Sequence, residues 1–240
     1  MSQRTFLVTG ASKGIGRALS ERLARAGHHV VGVARTANDA DFPGTLVAAD
    51  FSDPTDTARV LAELSARYAF DGVVNNVALV RTARLDELDV GDFDDIFRTN
   101  LHSAIRSTQA VLPAMRKQGW GRIVNISSLT ILGALERTAY AASKSAMVSF
   151  TRSWALELAD TGITVNAVAP GPTETVLFRQ NNPPGSDSER RFMSGVPMNR
   201  FGKPDEVAAA IAFFLSEDAG YITGQTLFVD GGSSLGKQPF

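Results

Sequence analysis

The chain has 240 residues, 44% of them apolar and 20% charged, a balance that suits one α/β domain with a sizeable core. A formal charge of −1 supplies no basic field for nucleic acid or an anionic membrane surface, and the absence of cysteine excludes disulfides, thiol catalysis and cysteine–zinc sites. The first apolar run, Phe6-Leu7-Val8, is too short for a signal peptide, and no run approaches the ~20 residues that span a bilayer, so a soluble cytoplasmic protein is expected.

Thr5 to Thr9 reads as a short buried strand that runs into Gly10-Ala11-Ser12-Lys13-Gly14-Ile15-Gly16. A helix follows, with Ile15, Leu19, Leu23 and Ala26 on one face and Gly27 closing it. Such glycines permit a tight turn and a close backbone approach to a pyrophosphate, while the helix N-terminus offers free N–H groups. Gly10, Ser12, Lys13, Gly14, Ile15 and Gly16 are therefore candidate cofactor contacts. His29 to Ala34 is a second strand. An acidic residue at its end would bind the 2′-OH of NAD; here Ala34 is followed by Arg35, which suits a 2′-phosphate and favours NADP(H), with NAD(H) as the alternative. Lys13 is placed to approach the same phosphate.

Thr45 to Ala49 is a third strand ending at Asp50-Phe51, where Asp50 is either an acceptor for the adenine amino group or a turn residue, and Phe51 a neighbouring cofactor contact. Asp53-Pro54 starts a helix to about Tyr68. Asp71 to Asn75 is strand four, ending in Asn75-Asn76-Val77-Ala78. A long amphipathic helix runs from Asp92 to about Lys117 with Asn100 in its middle, a poor intrinsic position for asparagine. Asn100 is either an interior amide satisfied by backbone or the site of a bend that frees a carbonyl to hold water. Arg122 to Ile126 is strand five and leads to Ser127-Ser128. The next helix, about Thr138 to Asp160, carries Tyr140-Ala141-Ala142-Ser143-Lys144.

Tyr140 and Lys144 share one helix face, one turn apart. An ammonium ~4 Å from a phenol is worth up to ~4 kcal/mol at an effective dielectric of about 20, enough to bring the phenol towards neutral-pH proton transfer. With Ser128 hydrogen-bonding the same substrate oxygen, the three form a proton-handling set for a C=O/C–OH pair. Ile163 to Ala169 is strand six, ending in Pro170-Gly171-Pro172-Thr173-Glu174-Thr175. Residues 176–199 read as an irregular lid around the breaker cluster Asn181 to Ser186. Pro204-Asp205-Glu206 opens a last helix, and Thr226 to Val229 is a final strand. The alternation implies an α/β fold, a single Rossmann-type doubly wound parallel sheet of about seven strands with helices on both faces. Its ligand site lies at the carboxyl ends of the strands.

These pieces together resemble the short-chain dehydrogenase/reductase family: Thr9-Gly10-x-x-x-Gly14-x-Gly16, Asn75-Asn76-x-Ala78, Asn100, Ser128, Tyr140-x-x-x-Lys144, Pro170-Gly171, Arg200 to Val207, Tyr221 to Gln225, and Val229 to Gly232. The likeness covers residues 5–233 and is nearest the 3-oxoacyl carrier-protein reductase branch. It implies one domain over residues 1–240, with a cofactor half at about 1–125 and a catalytic and substrate half at about 126–240. It further implies Tyr140 as general acid or base, Ser128 orienting the reacting oxygen, Lys144 holding the nicotinamide ribose and lowering the Tyr140 pKa, and Asn100 positioning a water. Asn76, Val77, Ala78, Tyr140, Lys144, Pro170, Gly171, Thr173 and Thr175 are the implied further cofactor contacts.

The expected reaction is hydride transfer between nicotinamide and a small-molecule carbonyl or secondary alcohol, with acyl thioesters among the candidates and no nucleic acid or membrane partner. An NAD-dependent alcohol dehydrogenase and a non-catalytic nucleotide-binding regulator are the alternatives. The resemblance also implies a homotetramer or homodimer built on the Asn100 and Tyr140 helices, and nothing supports a metal site. Three departures stand out. Val77-Ala78 replaces the commoner Ala-Gly; the serine–tyrosine gap is one residue short, which Ser127 would restore although the strand register favours Ser128; and Thr161 replaces a basic residue found in carrier-protein reductases. Leu129, Leu132, Leu135, Leu177, Phe178, Phe192 and Met193 suggest an apolar pocket, and Arg179, Arg190 and Arg191 either greet an anionic carrier or form a solvated lid.

Overall fold

The computed structural model describes residues 3–236; residues 1–2 and 237–240 of the expected domain lie outside the described residues. Seven parallel strands form one sheet in the order β3-β2-β1-β4-β5-β6-β7: β1 Thr5–Thr9, β2 His29–Ala34, β3 Thr45–Ala48, β4 Gly72–Asn75, β5 Gly121–Ile126, β6 Ile163–Pro170 and β7 Thr226–Val229. The chain turns back between β1 and β4, so the loops after these two strands diverge and leave a crevice at their carboxyl ends.

Helices α1 (Gly14–Arg25) and α8 (Pro204–Leu215) cover one face of the sheet. Leu19 and Leu23 of α1 and Ile211, Phe214 and Leu215 of α8 pack there against Phe6, Val8 and Val124. On the other face, α2 (Pro54–Arg67), α4 (Ser103–Gln118) and α5 (Thr138–Glu157) bury Leu61, Leu64, Val111, Met115 and Ala155 against Leu7, Val73, Ile123 and Val165. Each large side chain so enclosed contributes about 1.5–3 kcal/mol. Local chemistry sets the boundaries: Asp53 accepts from Thr55 N and Asp56 N at the start of α2, with Pro54 in the first turn, and Gly119 ends α4 in the left-handed conformation.

The long helix around Asn100 is not uniform. It comprises α3 (Val90–Phe97), a π-helical turn over Arg98–His102, and α4. The expected disturbance at Asn100 is therefore a widening of the helix; π-turns of this kind occur frequently at functional sites.

The lid differs from expectation. Residues 176–199 are not irregular: α6 (Val176–Asn181) and α7 (Asp187–Ser194) flank the breaker cluster. Each gains an N-cap hydrogen bond, from Phe178 N to Thr175 Oγ1 at 3.1 Å and from Glu189 N to Ser186 Oγ at 3.2 Å. Arg179 joins them by ion pairs to Glu174 and Glu189.

At the opposite end of the sheet, the Trp120 ring lies between two guanidiniums, Arg4 at 3.8 Å and Arg122 at 4.2 Å from its centroid. Glu217, beyond α8, accepts from Trp120 Nε1 at 3.0 Å and from Arg4 at 2.8 Å. The cluster ties the start of β1, the start of β5 and the end of α8 together. No helix among the described residues is long and apolar enough to cross a membrane.

Candidate active site

The glycine loop leaves β1 with Gly10 at φ +66° and Gly14 at φ +55°, conformations that side chains other than glycine rarely adopt. Gly16 is held by proximity instead: a Cβ there would lie 2.2 Å from the Gly10 carbonyl oxygen and 2.8 Å from Asn76 Nδ2. Asn76 braces the loop, its carboxamide donating to Thr9 O at 3.0 Å and Gly10 O at 3.1 Å. Lys13 at the head of α1 makes no side-chain cap, and the first turn has no acidic residue. Uncapped N–H groups over a side-chain-free cradle fit the pyrophosphate of a dinucleotide. Thr175 closes on this cradle, with its methyl 3.2 Å from a Cβ built at Gly14.

Arg35 is exposed directly after β2, and no salt bridge among the described residues involves it; Lys13 is likewise exposed. Asp50 is turned to its own loop, accepting from Ser52 N at 2.9 Å and Ser52 Oγ at 2.7 Å. These bonds, assisted by the nearby charge of Arg35, lower its pKa. The turn reading of Asp50 thus describes its contacts, and Phe51 beside it is buried in the core under α2. Thr173 donates to Gly171 O at 2.9 Å and Thr175 caps α6, so both hydroxyls have partners within the loop after β6. Val77 and Ala78 continue from β4 beside the cradle, where Val77 N donates to Thr9 Oγ1 at 3.2 Å.

Ser127 and Ser128 part company at the end of β5. The buried Ser127 hydroxyl donates to Lys144 O at 2.9 Å, which fastens α5 to the strand. Ser128 faces the Tyr140 phenol closely enough to favour its ionised form. The strand-end register therefore places Ser128, not Ser127, beside Tyr140. Asn100 Oδ1 accepts from Leu79 N at 2.6 Å, and its Nδ2 donates to Leu79 O at 3.1 Å and Ser143 Oγ at 3.0 Å. Ser143 in turn donates to Tyr140 O at 2.8 Å. The π-turn, the loop after β4 and the Tyr140 helix are thus joined by one amide. Ser143 was not among the expected residues, although its place three residues after Tyr140 puts its hydroxyl in reach of that carbonyl.

Lys144 is 1% exposed and donates to Ile126 O at 2.7 Å; its Nζ sits 5.7 Å from the centre of the Tyr140 ring. Burial pushes its pKa down to about 8. The expected lowering of the Tyr140 pKa is not the outcome in this arrangement. Burial raises it, against the opposing influence of the Ser128 hydroxyl and the Arg137 charge. Tyr140 keeps part of its surface exposed, which limits that penalty. The arrangement holds a neutral phenol, able to donate a proton to a substrate oxygen.

A buried lysine with a depressed pKa destabilises the protein while charged. Between about pH 8 and 10.5 the unfolded chain binds the extra proton, so stability attributable to Lys144 rises with pH. Wild type is expected to gain up to about 3 kcal/mol over Lys144→Met across that window. Urea denaturation at pH 7.5 and 10.5 measures it, and parallel curves would show that Lys144 is not so buried.

Asn75, which ends β4, points away from this site. Its Nδ2 donates to Thr108 Oγ1 at 3.0 Å and Asn125 Oδ1 at 2.8 Å, and Asn125 Nδ2 donates to Thr151 Oγ1 at 2.9 Å. The buried chain locks β4 and β5 to α4 and α5.

A family model described as enoyl-(acyl carrier protein) reductase matches residues 10–234. The chain belongs to the short-chain dehydrogenase/reductase family. A relative in this family is the 3-oxoacyl-[acyl-carrier-protein] reductase FabG of Escherichia coli (strain K12), 39% identical over 235 residues, with 94% of this chain and 95% of that protein covered. Among solved short-chain dehydrogenase/reductase structures, ElxO with NADP bound superposes at a TM-score of 0.89, with 29% identity over 97% of this chain and 99% of that one. The aldohexose dehydrogenase AldT of Thermoplasma acidophilum does so at 0.89, with 32% identity over 99% of this chain and 96% of its own. As a short-chain dehydrogenase/reductase, the protein is an oxidoreductase.

Proposed function

We propose that the chain is an NADPH-dependent ketone reductase, with 3-oxoacyl thioesters among its substrates. The observation that carries this reading is the meeting of Ser128, Tyr140 and Lys144 beside the glycine cradle, with Arg35 exposed where an acidic residue would select NAD. Residues of both halves hold the cofactor: in the first, the Gly10–Gly16 loop the pyrophosphate and Arg35 and Lys13 the 2′-phosphate; in the second, Lys144 the ribose. Bound there, the cofactor supplies a hydride to the carbonyl carbon. Ser128 fixes the carbonyl oxygen, Tyr140 donates its phenolic proton to that oxygen, and Lys144 stabilises the phenolate left behind. Asn100 keeps the π-turn and α5 in register, positioning the water that restores the proton.

Two of the three lid cations argue for a small substrate over an acidic carrier domain, because Arg179 is held by Glu174 and Glu189 and Arg190 by Asp187. The apolar side chains Leu132, Leu177 and Phe192 stay exposed around the mouth, available to a substrate. The outward groove between α4 and α5, lined by Ile105, Leu112 and Trp154, supports assembly of the reductase as a homodimer or homotetramer.

Calorimetric titration with NADPH and NADH tests the cofactor assignment. NADPH is expected to bind at least tenfold tighter, and Arg35→Ala to remove that advantage while leaving NADH unchanged. Tighter NADH binding, indifferent to Arg35→Ala, would instead support an NAD-dependent alcohol dehydrogenase.

A further inference from the structure

Arg137 is the N-cap residue of α5, three positions before Tyr140. No hydrogen bond or ion pair of its side chain occurs among the described residues, and it is only partly exposed. The neighbouring carboxylate is turned elsewhere: Glu136 pairs with Arg84 at 3.5 Å. The backbone here is held in an unusual state. Glu136 has φ +59°, one of two positive values among the described non-glycine residues, and its carbonyl accepts from Ala83 N at 3.2 Å in a bridge between Ala83 and Arg137. Strain at a non-glycine residue persists where surrounding contacts enforce it, and it concentrates at functional sites. The guanidinium so delivered lies near enough to Tyr140 for its charge to favour the phenolate. The lid cations Arg179 and Arg190 are neutralised by Glu174, Glu189 and Asp187, whereas Arg137 keeps a free fork of donors beside the proton donor.

We infer that Arg137 is a specificity-determining residue that pairs with a carboxylate carried by the substrate close to its reacting carbonyl, which makes oxo acids the preferred substrate class. The inference rests on the reductase reading. A partly buried guanidinium without a counter-ion matches a carboxylate in geometry and charge, whereas an ester or thioester carbonyl offers one uncharged acceptor. No atom of Arg137 takes part in bond making; it orients the carbonyl towards Ser128 and Tyr140.

Acetoacetate and levulinate, each against its methyl ester, provide the probes. With NADPH, wild type is expected to show at least tenfold higher kcat/KM for the acids, mostly in KM. Arg137→Gln should erase that ratio and Arg137→Lys should keep part of it. A ratio unchanged in Arg137→Gln would overturn the inference and leave the reductase reading standing. Binding is read without turnover by saturation-transfer NMR on the Tyr140→Phe protein, where the acids should give signal and lose it when Arg137→Gln is added. Acid-selective binding in a protein that reduces none of the four compounds would sustain the Arg137 assignment and remove the ketone-reductase reading. Equal binding of acid and ester would overturn the Arg137 assignment.

Discussion

Replacing Tyr140 with phenylalanine is expected to lower kcat by about 10²–10⁴-fold, the range that a positioned general acid supplies, while NADPH affinity stays within about twofold. The change removes one hydroxyl and keeps a ring that is half-buried in the first turn of α5. The Ser128 hydroxyl loses a partner, but it also accepts from Thr130 N at 3.2 Å and is not left alone. Lys144 is anchored to Ile126 O independently of the phenol. Stability should therefore change little, and stopped-flow measurement of hydride transfer separates the chemical step from release. Turnover preserved in the variant would remove Tyr140 from the reaction; cofactor binding with no turnover in wild type itself would favour a nucleotide-binding regulator.

Gly16→Ala is expected to reduce NADPH affinity more than tenfold and to lower the melting temperature. Two effects compete. Gly16 lies in the first turn of α1, where alanine gains up to about 1 kcal/mol in intrinsic helix preference. Against it, the new methyl carbon would sit 2.2 Å from a backbone oxygen, Gly10 O, which no side-chain rotation relieves. Overpacking of even flexible neighbours costs about 1–3 kcal/mol, so the clash outweighs propensity and the loop must open. Gly195→Ala is the control: the nearest atom to its added carbon, Phe192 O, is 3.5 Å away, and its melting temperature should match wild type. Equal behaviour of the two variants would show that the loop is not closely packed.

The parallel, doubly wound sheet, the helix faces and the strand ends were legible because they follow from local periodicity and from glycine and proline punctuation. The proximity of Ser128, Tyr140 and Lys144 was legible for the same reason, since a strand end and one turn of helix fix their spacing. What stayed hidden depends on pairs distant in sequence. Asn75 ends a strand beside the site, yet its amide serves Thr108 and Asn125, 33 and 50 positions away. Arg179 reads as a free cation until Glu174 and Glu189 are folded against it. The lid helices escaped because each is barely two turns long, and their caps are single Thr175 and Ser186 hydroxyls beside a conspicuous proline cluster. The direction of the Tyr140 pKa depends on burial, which outweighs the charge that spacing alone suggests.

The Trp120 sandwich has an optical consequence. The chain holds two tryptophans, and neither lies in the cofactor crevice. Trp120 precedes β5 at the far end of the sheet, roughly 20 Å from the strand's other end. Trp154 stacks on Phe150, with centroids 5.2 Å apart, beside the groove between α4 and α5. Reduced nicotinamide absorbs where indole emits, and that separation is within resonance energy-transfer range, so binding dims both indoles without touching either. Trp120 additionally reports the parting of β1, β5 and α8, because its emission shifts when Arg4 and Arg122 leave its two faces. A Trp154→Phe protein thus carries one native reporter of unfolding, and a Trp120→Phe protein one reporter of the groove between α4 and α5.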